Sequence, residues 1–245
     1  MQMTLEISLT VFFFSLFLGS FYNVLALRTL NKESISYPPS HCTVCNHRLA
    51  PVDLVPVFSY LMLGGKCRYC KSKISHIYPL GEILTAISYI IIINKYGFTL
   101  ETLIQLVFIT IMILSTITDM KETIVPDGFI VTGLIVVLVL RLINKENLLY
   151  YVVSSIISFL LLFLILILSG GKMGGADVKL YALIGLAIGL NNSIVSLFYA
   201  SIIALILNIK KLVKKEKNTE IPFVPYITLG VLGTYIFSTQ ILMTI

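Results

Sequence analysis

The sequence predicts an all-α polytopic membrane protein of about eight transmembrane helices, with a small cytoplasmic four-cysteine zinc-knuckle insertion. Composition is the first reason. The 245 residues are 57% hydrophobic and only 12% charged, with a mean hydropathy of +0.95, whereas soluble domains carry roughly 25% charged residues. A chain this apolar cannot form a water-facing globule without exposing large greasy patches. Apolar runs near the roughly 20 residues needed to cross a bilayer recur along the chain. One polar segment, residues 31–78, interrupts them and holds every cysteine and histidine.

The predicted spans are Leu5–Leu27, Pro79–Asn94, Leu100–Thr118, Gly128–Leu142, Leu148–Ser169, Asp177–Leu190, Ile194–Ile209 and Phe223–Met243. Several are short for a full crossing. The Val- and Ile-rich stretches would favour strands in water, but an open strand edge leaves unpaired backbone groups in hydrocarbon, so lipid imposes helices. Three parts result: a first transmembrane helix over 1–30, a zinc-binding loop domain over 31–78 and a transmembrane helical core over 79–245.

Charge orients the spans. No Lys or Arg precedes the first apolar run, and Arg28 and Lys32 follow it. That is the reverse of a secretory signal and places the N-terminus outside. Segments 28–78, 119–127, 170–179 and 210–221 then face the cytoplasm with seven, one, two and five Lys or Arg, while Lys95, Arg141 and Lys145 lie outside. Eight spans with both termini outside fit this bias. The net charge of +6 is therefore mainly a topology signal. Lys210, Lys211, Lys214, Lys215 and Lys217 read first as an inside marker and second as a contact for anionic lipid. No nucleic-acid signature is present.

In segment 31–78, Cys42-x-x-Cys45 is followed after 21 residues by Cys67-x-x-Cys70. Two tight knuckles bearing two thiolates each suit tetrahedral zinc, and a closed shell of four cysteines makes the site structural rather than catalytic. Gly64 and Gly65 fit the turn before the second pair. A redox role would call for a thioredoxin-like βαβ unit, which is missing, and a reducing cytoplasm disfavours a disulfide. Four unligated thiols remain the alternative. A segment of 48 residues with few large apolar side chains needs such a staple. His41, His47 and His76 read as surface or neighbouring groups rather than ligands.

Ionisable residues at span ends are functional candidates because their placement is expensive. Asp119 closes the third span and Asp177 opens the sixth, both at the cytoplasmic boundary by this topology. Two carboxylates from different helices at one depth could share a proton and a water, as an aspartic-protease dyad requires. An Asp at a helix start is also a common N-cap, which alone could explain Asp177. Asp127, in Val125-Pro126-Asp127-Gly128, looks still more like a helix-start residue. The run Gly170-Gly171-Lys172-Met173-Gly174-Gly175 lacks phosphate-loop spacing and reads as a loop presenting Asp177. Gly185-x-x-x-Gly189 reads as close helix packing.

Together these motifs resemble the type IV prepilin peptidases, membrane aspartic proteases. The resemblance covers nearly the whole chain. It starts with Gly19-Ser20-Phe21-Tyr22-Asn23-Val24 and Arg28, and continues through the cysteine pairs with Pro56, Ser59-Tyr60-Leu61 and Gly65-Lys66-Cys67-Arg68. Tyr78-Pro79-Leu80 with Glu82, Asp119 with Val125-Pro126-Asp127, and Gly174-Gly175-Ala176-Asp177-Val178-Lys179-Leu180 complete it. The family's second aspartate usually follows Gly-x-Gly. Ala176 stands here instead of the last glycine, so an ordinary backbone is expected there.

The resemblance implies a catalytic pair at Asp119 and Asp177, which cuts the basic leader from prepilins or pseudopilins after a glycine at the cytoplasmic face. It also implies N-methylation of the new N-terminus with S-adenosylmethionine, because the full cysteine loop accompanies bifunctional members. No methyl-donor motif is readable. The implied setting is the bacterial cytoplasmic membrane, with the lipid bilayer and the prepilin as partners. Two other classes compete: a proton-coupled transporter with a zinc-binding regulatory loop, and an inert zinc-nucleated scaffold. Transporters keep ionisable groups near the midplane, usually within inverted repeats. A scaffold gives no reason for two carboxylates at matching depth.

Overall fold

A computed structural model describes residues 4–170, 173–213 and 221–241. Gly171, Lys172, Lys214, Lys215, Lys217, the first three residues and the predicted end of the last span at Met243 lie outside the described residues. The described chain is helical, with no strand beyond two isolated bridges, His41–Arg48 and Lys66–Lys73. In order come α1 (Leu5–Leu30), a short 3-10 turn (Pro51–Leu54), α2 (Phe58–Met62), α3 (Ile77–Tyr96), α4 (Leu100–Glu122), α5 (Asp127–Asn144), α6 (Leu148–Leu168), α7 (Gly175–Val213) and α8 (Val224–Ile241). The chain divides into two compact units, residues 1–90 and 91–245.

Six of the described helices are long and apolar enough to cross a membrane, and α8 is a shorter apolar helix over Val224–Phe237. Their outward faces are what lipid demands: α6 exposes Leu160, Leu164, Ile167 and Leu168. Hydroxyls inside these helices turn back onto their own carbonyls, as Thr85 does on Gly81 (2.7 Å) and Ser88 on Leu84 (2.6 Å). That satisfies a polar group where water is missing.

In the first unit, α1 packs on α3 through small residues. A Cβ on Gly19 would sit 2.7 Å from Glu82 Cα, and one on Gly81 would sit 2.7 Å from Asn23 Oδ1. Such close approach replaces hydrophobic drive as the association force in lipid. Arg28, buried at the end of α1, donates to the carbonyls of Ser34, Ile35 and Pro38. It thereby pins the start of the polar loop.

In the second unit, the predicted sixth and seventh spans are the two halves of α7, broken at Gly189 (φ 77°, ψ 170°). The Tyr181 hydroxyl and Ser196 Oγ lie 3.5 Å apart although 15 residues separate them. A straight helix would hold them roughly 22 Å apart, so the chain folds back at Gly189. Gly185 does serve close packing, since its Cβ would lie 2.5 Å from Ser154 O. Gly189 packs closely too, since its Cβ would lie 2.7 Å from Tyr150 Cε1, and it also supplies a positive φ that other residues resist.

A helix break leaves carbonyls without intrahelical partners, and Arg141 satisfies two of them. Arg141, counted from sequence among the outside charges, is completely buried in α5. It donates to Ala187 O and Leu186 O, two carbonyls in the last turn before the break. It also clamps Glu101 with two hydrogen bonds (2.6 and 2.9 Å) and lies 3.6 Å from the Tyr151 ring centroid. Gln105 adds a second donor to Ala187 O (2.8 Å) and accepts from the Tyr235 hydroxyl (2.6 Å). Arg141→Met strands the Glu101 charge and the Leu186 carbonyl, leaving Ala187 O with Gln105 alone, at an expected cost of roughly 3–5 kcal/mol. Thermal unfolding in detergent should show a clearly lower midpoint; an unchanged midpoint would mean the network does not hold the break.

Candidate active site and metal centre

Asp119 stands in the last turn of α4, buried at 6% exposure. Its Oδ2 accepts the backbone N–H of Val224 at 3.0 Å, and the Phe223 N–H also points to it. These N–H groups lie at the start of α8 and in the residue just before it, where no intrahelical acceptor exists. A helix N-terminus therefore faces the carboxylate. Beside it, the buried hydroxyls of Thr116 and Thr228 meet at 2.8 Å and tie α4 to α8.

Asp177 stands in the first turn of α7, also at 6% exposure. Its backbone N–H bonds Gly174 O at 3.2 Å. Among the described residues, its carboxylate accepts no capping hydrogen bond, so capping does not account for it. The charge that acts on Asp177 is that of Asp119. Ala176 is helical, the ordinary backbone expected where the motif loses its glycine.

Asp127 has a different environment. It opens α5, but its side chain caps nothing. It pairs with Lys179 at 2.7 Å, with the two side chains 66% and 50% exposed. The expectation that Asp127 caps backbone N–H groups is thus corrected: the ammonium two residues beyond Asp177 outcompetes them. Asp127→Asn removes a surface pair worth about 0–1 kcal/mol, so the variant should express and keep its activity. Loss of activity at equal membrane level would reassign it to the site.

The four cysteines converge. Their Sγ atoms all lie within 4.8 Å of one another, and Cys42 and Cys70 are 3.8 Å apart. Two identical knuckles bring them there. Cys42 N–H bonds His47 O while Asn46 N–H returns to Cys42 O; Cys67 N–H bonds Ser72 O while Lys71 N–H returns to Cys67 O. Asn46 (φ 54°) and Lys71 (φ 61°) make the matching turns. Asp53 braces the second knuckle through Arg68 (2.6 Å) and the Tyr69 hydroxyl (3.2 Å).

Electrostatics differ across the cluster. Backbone N–H groups of Cys45 and Val44 pull the Cys42 thiol down to about 6. Cys45 also receives a backbone N–H, from His47, but partial desolvation and the neighbouring sulfurs of Cys70 and Cys42 push it up to about 11. The histidines stay out of the cluster: His47 stacks on Tyr69 (3.6 Å between centroids), His76 Nδ1 meets the Tyr60 hydroxyl (2.7 Å) and His41 Nδ1 meets Pro39 O (3.0 Å).

Two features escaped the reading of sequence. Glu82 was visible only as a motif letter, and it is buried with its Oε2 on Val57 N–H at 2.7 Å. The Arg141–Glu101–Gln105 network had one signal, a pair of opposite charges flanking apolar runs.

Comparison with known proteins agrees with this site. Residues 13–96 match the bacterial peptidase A24 N-terminal domain, and residues 106–209 match the type IV leader peptidase family. A prepilin leader peptidase/N-methyltransferase from Bacillus subtilis is 30% identical over 235 residues, covering 95% of both chains. The chain belongs to the type IV leader peptidase family. Relatives of the same description from Neisseria gonorrhoeae (32% identical; 87% of this chain, 74% of the relative) and Pseudomonas putida (28%; 85% and 76%) show similar coverage. No solved structure matches the chain. This membership does not support the transporter alternative.

Proposed function

We propose that this protein cuts the leader from prepilins or pseudopilins at the membrane and methylates the new N-terminus. The observation that carries the first half is the pair of buried carboxylates, Asp119 and Asp177, brought from α4 and α7 into one electrostatic environment. Two carboxylates that repel each other hold one proton between them. The ionised member takes a proton from water while the protonated one donates to the scissile carbonyl oxygen. The tetrahedral centre then collapses, and the amide nitrogen leaves with a proton returned by the dyad.

The cysteines fit zinc. Tetrahedral Zn–S bonds of roughly 2.3 Å imply sulfurs roughly 3.8 Å apart, and Cys42 and Cys70 stand at 3.8 Å already. Cys42, Cys45, Cys67 and Cys70 would hold the ion, which would organise the loop. For S-adenosylmethionine, the first unit offers a cleft of about 280 Å³ lined by Ser20, Phe21, Arg28, Ser36 and Ser40, among others. Its apolar wall and hydroxyls suit a ring and a polar tail.

The reading includes eight spans, with the two halves of α7 and α8 each crossing. The 1–30, 31–78 and 79–245 division stays part of it, as do a cytoplasmic loop and dyad and outside termini, which rest on the Lys and Arg bias. The test is incubation of the purified protein in detergent with a prepilin and S-adenosylmethionine, followed by mass spectrometry. The expected product lacks the leader and carries one added methyl. An intact prepilin sinks the peptidase reading; a trimmed but consistently unmethylated product sinks only the methylation half.

A further inference from the structure

In the first unit, Glu82 lies in the second turn of α3 with its residue 7% exposed. Its Oε2 accepts Val57 N–H at 2.7 Å, and the Ser20 hydroxyl also bonds it. Among the described residues no Lys, Arg or His pairs with it. Two other acidic side chains sheltered from solvent have such partners, Asp53 in Arg68 and Glu101 in Arg141.

The backbone that Glu82 holds is itself unusual. Val57 adopts φ 61°, ψ −51°, and Phe58 N–H bonds Pro56 O at 2.6 Å. That is the rare form of the γ-turn, strained for any residue and more so for a β-branched one. Strain of this kind persists where surrounding structure imposes it and gathers at functional sites. Ser20 links the two features, because it touches Glu82 and also lines the cleft with Arg28, Ser36 and Ser40.

An amide oxygen would hold Val57 N–H as well as a carboxylate does. A carboxyl group buried without a counter-cation is costly, so holding the turn does not explain the choice of Glu over Gln. A cationic ligand does. We propose that Glu82 receives the N-terminal ammonium of the trimmed pilin and takes its proton during methyl transfer, a deepening that rests on the methylation reading above.

The step balances. The ammonium gives one proton to the Glu82 carboxylate and becomes a neutral amine. The nitrogen lone pair forms the N–C bond as the methyl donor's C–S bond breaks, and those electrons stay on sulfur as a thioether. The methylated product is again a cation, and Glu82 releases its proton to water.

Glu82→Gln keeps the acceptor for Val57 N–H and removes the base. In the full-length protein, leader cleavage and zinc content should stay within about threefold of wild type while methylation falls by about 10²-fold or more, the range for a positioned general base. A second measurement does not depend on turnover. A synthetic peptide of the mature pilin N-terminus should bind wild type about tenfold more tightly with a free amine than with an acetylated one, and Glu82→Gln should bind both alike. Glu82→Gln methylating at the wild-type rate, or still preferring the free amine, overturns the proposal. So does loss of cleavage together with methylation, since Glu82 would then be structural. Failure of the underlying reading is separately visible, as wild type that cuts and never methylates.

Discussion

Asp119→Asn and Asp177→Asn each abolish leader cleavage, by about 10⁴-fold or more, and the double variant is no worse than either alone. The reason is that the pair works as one unit. An amide at either position keeps size and shape but can neither accept the water's proton nor pass one to the carbonyl. In Asp119→Asn the amide oxygen would still accept the Val224 N–H that Asp119 now accepts at 3.0 Å, so the α4–α8 junction should survive and the variant should reach the membrane. Cleavage of a prepilin in detergent, at matched protein level, is the measurement. An active Asp119→Asn beside an inactive Asp127→Asn would show that the pair is Asp127 and Asp177.

The second large effect is on the metal. Purified protein should contain about one equivalent of zinc, as a closed four-cysteine site holds, and any single Cys→Ser change at 42, 45, 67 or 70 should remove it. Zinc sites of this kind supply about 10–16 kcal/mol of apparent binding energy that is also folding energy. The knuckles have few other sources: of the four cysteines only Cys67 is buried, and Val44, Val52, Leu54 and Tyr69 are exposed. The apo loop should therefore be cut readily by protease between residues 31 and 78 and protected by added zinc. Loading at neutral pH should also release protons. Cys45, pushed up to about 11 by partial desolvation and its neighbouring sulfurs against the pull of the His47 N–H, must lose its proton to become a ligand. Cys42, held near 6 by backbone N–H groups, contributes less. Full zinc occupancy in a single Cys→Ser variant would overturn the site.

What the residues alone determined were properties that belong to one residue or to a short window. Hydropathy averaged over about 20 positions marks a span wherever the span sits, which is why the helical class was legible. The four-cysteine cluster was legible because each Cys-x-x-Cys pair builds its own knuckle from nearby backbone bonds. Asp119 and Asp177 could be singled out because a carboxylate at a span end is rare. Ala176 could be read as ordinary backbone because only its own φ was at issue.

Tertiary structure decided everything that depends on two distant partners. Local pattern could not bring Asp119 and Asp177 into one field, nor give Asp119 the N-terminus of α8 as a donor. It assigned Asp127 a cap because Pro-Asp-Gly favours one locally, but Lys179, 52 residues away, supplied a stronger partner. Arg141 counted as a loop charge until Ala187 and Leu186 presented carbonyls freed at Gly189. Glu82 was one letter in a motif until Val57 folded onto it. Apart from the exposed Asp127–Lys179 pair, the deciding energy is a desolvated contact, and in every case one member's sequence carries no information about where the other arrives.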